Sequence, residues 1–89
     1  MASISFAPSL QRHVGVESCE AAGATVRDAL EAVFAQNARL RSYLLDDTGA
    51  VRKHVVIFLD GESIRDREAL SDPVSADGEI FVMQALSGG

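Results

Sequence analysis

The chain has 89 residues, of which 47% are hydrophobic and 24% charged, with a net charge of −5. That is the composition of one globular domain and not of a disordered segment. It leaves no room for two domains, no apolar run near the ~20 residues of a membrane span, and no secretory leader.

The charge is uneven. Residues 1–45 are neutral overall, whereas residues 46–89 hold four bases and nine acids. An acidic chain does not suit nucleic acid, which asks for a basic face. It is compatible with a basic protein partner, where opposite charge speeds encounter, and equally with simple solubility. The single cysteine, Cys19, forms no internal disulfide and fits a reducing, cytoplasmic setting. It reads as a small buried hydrophobe rather than a nucleophile.

In chain order, Ser3-Ile4-Ser5-Phe6 alternates as a half-buried strand does. Pro8 weakens that strand, and Leu10 to His13 read as an edge continuation or a loop. Gly15 permits a turn and Val16 to Glu20 form a second strand, so a hairpin is expected. Thr25 then caps a helix, with Asp28 at its third position. Val26, Ala29, Leu30, Val33 and Phe34 make its buried stripe, Arg27, Asp28, Glu31 and Gln36 lie opposite, and Asn37 is its stop.

Ala38 to Leu45 reads as a short helical turn, and Asp46-Asp47-Thr48-Gly49 as a turn cluster. His54 to Leu59 is a strand expected to be buried on both faces, and Asp60-Gly61 is a hairpin turn. Glu62 to Ile64 is a short strand, and Leu70, Pro73 and Val74 pin an irregular segment to the core. Asp77-Gly78 turns the chain into a last strand, Glu79 to Ala85, with Ile80 and Val82 on one face and Phe81 and Met83 on the other.

This order fits an α+β fold of the β-grasp type. Four to five strands form a mixed sheet, one main helix lies across it, and the first and last strands are central neighbours. The domain covers residues 1–85, and residues 86–89, Leu86-Ser87-Gly88-Gly89, form a flexible tail.

No nucleotide-cradling glycine loop is present. His13 and His54 stand alone, without metal-ligand spacing, and His54 reads as a strand-end residue. Asp46 and Asp47, like Asp66 and Glu68, read as solvated loops rather than an acid–base pair. The chain therefore does not read as an enzyme. The tail is the distinctive element. Two consecutive glycines have lost their Cβ atoms, so a carboxylate on Gly89 can be threaded through a narrow channel.

The run His54 to Glu62, then Asp77-Gly78-Glu79-Ile80, then Gly88-Gly89, resembles the MoaD/ThiS family of ubiquitin-like sulfur carriers over nearly the whole chain. The segment Ala38 to Lys53 is more similar to the longer MoaD-like and cysteine-biosynthesis carriers than to compact ThiS types. Two departures stand out: Asp60 replaces the Asn common before Gly61, and Gln84-Ala85-Leu86-Ser87 lacks proline. The second weakens a molybdopterin assignment.

The resemblance implies that a ubiquitin-activating-type adenylyltransferase (MoeB/ThiF-like) uses ATP and Mg²⁺ to adenylate Gly89. No cofactor is bound by the chain itself. A sulfur donor protein then supplies the sulfur of a C-terminal thiocarboxylate. An acceptor enzyme of a cysteine, molybdopterin or thio-metabolite pathway takes it. Gly88 and Gly89 are the functional terminus; Phe81, Met83, Leu86 and Ser87 are the expected partner contacts, Phe81 and Met83 being alternatively core. No nucleic acid or membrane is an expected partner. The other readings are a modifier joined through Gly89 to lysines and a plain interaction domain with an incidental tail.

Overall fold

A computed structural model describes residues 1–84, the side chain of His13 apart. Strand β1, Ala2–Phe6, buries Ala2, Ile4 and Phe6 and leaves Ser3 and Ser5 half-buried, as its alternation requires. Beyond it the sequence expectation fails. Residues 8–14 are neither edge strand nor loop but a two-turn helix, α1, Pro8–Val14. Proline at a first helical position gives up no hydrogen bond and already has the helical φ. Leu10 and Val14, four apart, are both buried. Gly15 closes the helix at φ 71°, its N–H donating to the Gln11 carbonyl at 2.8 Å.

The first two strands do pair antiparallel, Ala2 opposite Ala21 and Ile4 opposite Cys19, but α1 lies between them. They are therefore not the expected short-connection hairpin. Strand β2 is only Cys19–Ala21, and Val16 is a buried anchor outside it.

Helix α2, Val26–Phe34, matches its predicted stripe residue for residue. The Thr25 hydroxyl accepts from the Asp28 N–H at 3.2 Å. Arg27 is on the opposite face but is not simply solvated. Its guanidinium donates to the carbonyls of Ala69, at 2.8 Å, and Gly49, at 2.9 Å, and pairs with Glu31. One side chain thus ties two loops to the helix. Asn37 ends the α2 region and starts the next helix: its N–H donates back to Val33 and Phe34, while its Oδ1 caps Leu40 N–H at 3.3 Å. Helix α3, Ala38–Leu44, comes next and buries Leu40 and Leu44.

Strand β3, Val55–Leu59, is buried on one face only. Val55 and Ile57 are fully enclosed, whereas Val56 and Phe58 are half-buried. Asp60 and Gly61, at φ 53° and 87°, form the left-handed tight turn into β4, Glu62–Ser63, with Leu59 opposite Glu62.

Two aspartates organise the irregular segment after β4. Asp72 accepts the N–H groups of Arg65 and Asp66 at 2.9 and 2.8 Å, and Asp66 accepts those of Glu68 and Ala69 at 3.1 and 2.9 Å. Leu70 is buried and Val74 packs on the core. Pro73 is exposed, not a core pin; that stretch is held by its backbone, through the Asp72 carbonyl accepting from Val26 N–H at 3.0 Å.

Strand β5, Glu79–Gln84, lies between β1 and β3 in the sheet order β2-β1-β5-β3-β4. It is parallel to β1, with Ser3 opposite Glu79, and antiparallel to β3, with Val55 opposite Gln84. First and last strands are thus central neighbours, and the β-grasp expectation holds. One core cluster unites the three helices with the inward side of the sheet.

Candidate functional site

Because the helices cover one side of the sheet, the other side is open. Ile80 and Val82 face the core and are buried, so Phe81 and Met83 project from the open side, as alternation predicted. Phe81 is 38% exposed, one of two large exposed hydrophobic residues among those described. Across the β3–β5 ladder Phe58 pairs with Phe81 and Val56 with Met83. The two phenyl rings lie 6.5 Å apart, tilted by 39°. The result is a continuous apolar patch of four side chains.

The sequence reading missed Val56 and Phe58, because it placed β3 under cover on both sides. The available signal was the count of amphipathic helices. Nothing in the chain could roof the second face of the sheet.

One end of the patch is acidic. Phe58 and Phe81 share a hollow of about 490 Å³ with Asp60, Gly61 and Glu79. Asp60 Oδ1 accepts the Glu79 N–H at 2.9 Å, which braces the turn against β5. Glu62 is exposed just beyond it.

At the other end, Tyr43 of α3 donates its hydroxyl to Gln84 Oε1, holding the last described residue of β5. The Tyr43 ring meets half-buried His54 edge-on, 5.8 Å between centroids, in keeping with His54 as a strand-end residue. Beyond Gln84 come Leu86, Ser87, Gly88 and Gly89, four of the six expected functional residues; they lie outside the described residues, as does Ala85. Of the six, Phe81 and Met83 are brought together on the open face.

The remaining chemical groups have structural tasks. Asp46 accepts from the Thr48 hydroxyl at 2.6 Å and from the N–H groups of Thr48 and Ala50. The Thr48 side chain, then its N–H, holds that carboxyl below its ordinary value. Asp66 is pulled to about 2, first by the Ala69 N–H and then by the Ser71 hydroxyl. Both are loop clamps, consistent with the reading of these carboxylates as loop residues.

Cys19 is exposed, contrary to the expectation of a buried side chain, because β2 is an edge strand. Partial desolvation nevertheless pushes its thiol up, away from the reactive thiolate. Among the described residues no group of three or more His, Cys, Asp or Glu side chains is gathered as a metal ion requires. No helix among them is long and apolar enough to cross a membrane.

A sheet with parallel central first and last strands, helices on one face and an apolar patch on the other defines a ubiquitin-like β-grasp protein. Solved structures agree. CysO in the Amycolatopsis orientalis BexX/CysO complex matches with a TM-score of 0.83 and 23% identity, over 100% of both chains. SAMP1 from Haloferax volcanii matches at 0.81 and 25% identity, over 99% of this chain and 98% of that one. Mycobacterium tuberculosis CysO matches at 0.81 and 20% identity, over 97% and 100%. No curated protein sequence matches the chain. The ThiS family model matches residues 6–89, and the chain belongs to the ThiS family of ubiquitin-like carriers.

Proposed function

We propose that the chain is a sulfur carrier whose reactive group is the Gly89 carboxylate. The observation that carries this reading is the ThiS family match, which runs through Gly88-Gly89. A carboxylate is a poor electrophile. An ATP-dependent activating enzyme of the ubiquitin-activating type, with Mg²⁺, would transfer AMP to it and release pyrophosphate. A sulfur nucleophile from a donor protein would then displace AMP and leave a thiocarboxylate. That sulfur would pass to an acceptor enzyme in a biosynthetic pathway making cysteine, molybdopterin or another thio-metabolite. The chain supplies no catalytic group in this scheme and acts as a protein co-substrate in the cytoplasm.

The fold supports the scheme mechanically. Strand β5 is hydrogen-bonded on both sides, to β1 and β3, so the start of the tail is presented from a rigid element. The patch of Val56, Phe58, Phe81 and Met83 lies on that strand and its neighbour. We assign it to partner docking, with Leu86 and Ser87 as further contacts. The flexible Met83 can adapt to activator and acceptor in turn. CysO is seen in a complex with BexX, so a protein of this fold does dock a partner.

A second reading is favoured by the likeness to SAMP1, a small archaeal modifier protein. In it the same adenylate is passed to lysine amines of other proteins. The two readings share activation and differ in product.

Activation is tested with a candidate activating enzyme by ATP–pyrophosphate exchange. The wild-type chain should support exchange. A chain extended by one residue beyond Gly89 should not, and Phe81→Ser should weaken the activator's apparent affinity about tenfold or more, as loss of an interface anchor does. Full exchange with the extended chain, without trimming, would refute the proposal. Unchanged affinity with Phe81→Ser would move docking off the open face.

A further inference from the structure

The opposite edge of the sheet carries a second surface. Strand β2 is the outermost strand on its side and pairs only with β1. Outside that ladder, no hydrogen bond between described residues uses a backbone group of residues 16–22. Glu17, Ser18, Cys19 and Glu20 are all exposed. An edge of this kind is a template for another strand.

Between this edge and α2 runs a groove of about 490 Å³. One wall is the segment Gly15 to Ala22; the other is the last turn of α2 and the residues just after it, through Ala32, Val33, Gln36 and Asn37. Val16 and Val33 form a nearly closed apolar floor, at 6% and 9% exposure. Ala22 and Ala32 are small, so side chains of an incoming segment meet no obstruction. Glu17 and Glu20 are the charged side chains of its lining.

We infer that the groove between β2 and α2 is a peptide-docking site, which takes an extended, β-branched segment of a partner protein flanked by lysine or arginine. The segment would add as a further strand beside β2, with alternate apolar side chains over Val16 and Val33. Charge selects the partner. Two copies of this chain pairing edge to edge would set Glu17 and Glu20 against like charges, which opposes self-association, whereas basic flanks satisfy them.

The groove is separated from the Phe58–Phe81 patch by β1 and β5. A partner held here leaves the open face and the tail accessible, so two proteins can be engaged at once. The inference stands apart from the carrier reading, since peptide binding needs neither Gly89 nor ATP.

The test is an NMR titration of the full chain with a synthetic six-residue peptide that alternates valine and threonine between terminal lysines. Saturable shifts are expected at Glu17 to Ala22, Val33 and Gln36, with none at Phe58 or Phe81. Replacing the terminal lysines by glutamates, or making Glu17→Lys with Glu20→Lys, should weaken binding about tenfold. Ala32→Glu, on the helix wall, should weaken it without touching β2. Each variant is accepted only with a wild-type-like spectrum elsewhere. No saturation at millimolar peptide, shifts centred on Phe81, or equal binding of the two peptides would overturn the inference. So would peptide-independent self-association through β2, which would assign the edge to a second copy.

Discussion

A single carboxylate replaces much of what a strand would provide in residues 64–78. Asp66 gathers the N–H groups of Glu68 and Ala69 and the Ser71 hydroxyl, while its own N–H is held by Asp72. The clamp lets Leu70, at φ 54°, reach the core from a backbone region that leucine normally avoids. The ionised form makes these bonds, so the folded carboxyl lies near 2, first through Ala69 and then Ser71. The unfolded carboxyl sits near ~3.9. As pH falls the unfolded chain takes up this proton first, and the stabilisation, complete above the unfolded value, is lost as pH drops through the folded one. Denaturant unfolding should therefore show wild type more stable than Asp66→Asn at neutral pH, with the gap closing from about pH 4 to pH 2. A gap independent of pH would show that the charge of Asp66 contributes nothing.

Among the elements, α2 was the most legible in the sequence and α1 the least, for one physical reason. Nine residues with five on a 3.6-residue stripe and a threonine cap specify a helix by themselves. Seven residues opening on proline carry only Leu10 and Val14 as a stripe, and proline reads equally well as a strand breaker. The central β1–β5 pair came from element order and not from any local pattern, since register between distant strands leaves no trace in periodicity. Strand β3 shows the converse: its unbroken apolar run hid the fact that Val56 and Phe58 face outward. Half of the docking patch was thereby lost to the sequence reading, although Phe81 and Met83 were found. Leu30 is fully enclosed beneath α2, so Leu30→Ala should cost about 2–5 kcal/mol. Thr25→Ala, which removes one capping bond, should cost about 1 kcal/mol. Thermal unfolding of the two variants checks the order, and an equal effect would mean that the cap and not the core sets the stability of this helix.

At the scale of the whole molecule, the chain keeps its apolar surface and its acidic half together. The open face of β3 and β5 ends in Asp60, Glu62 and Glu79, and β5 leads toward the glycine pair. A partner built to receive that face would present apolar side chains beside basic ones, and charge attraction would hasten the encounter. This arrangement serves the tail only if sulfur is carried there. The most direct measurement is the intact mass of the protein isolated from its own cells under non-reducing conditions, with the modified peptide mapped. Sulfur carriage predicts a fraction in which one oxygen is exchanged for one sulfur, located on Gly89 and absent when Gly89 is deleted. Only the carboxylate form, with Gly89 found instead in branched peptides on lysines of other proteins, would contradict sulfur carriage and establish the modifier reading.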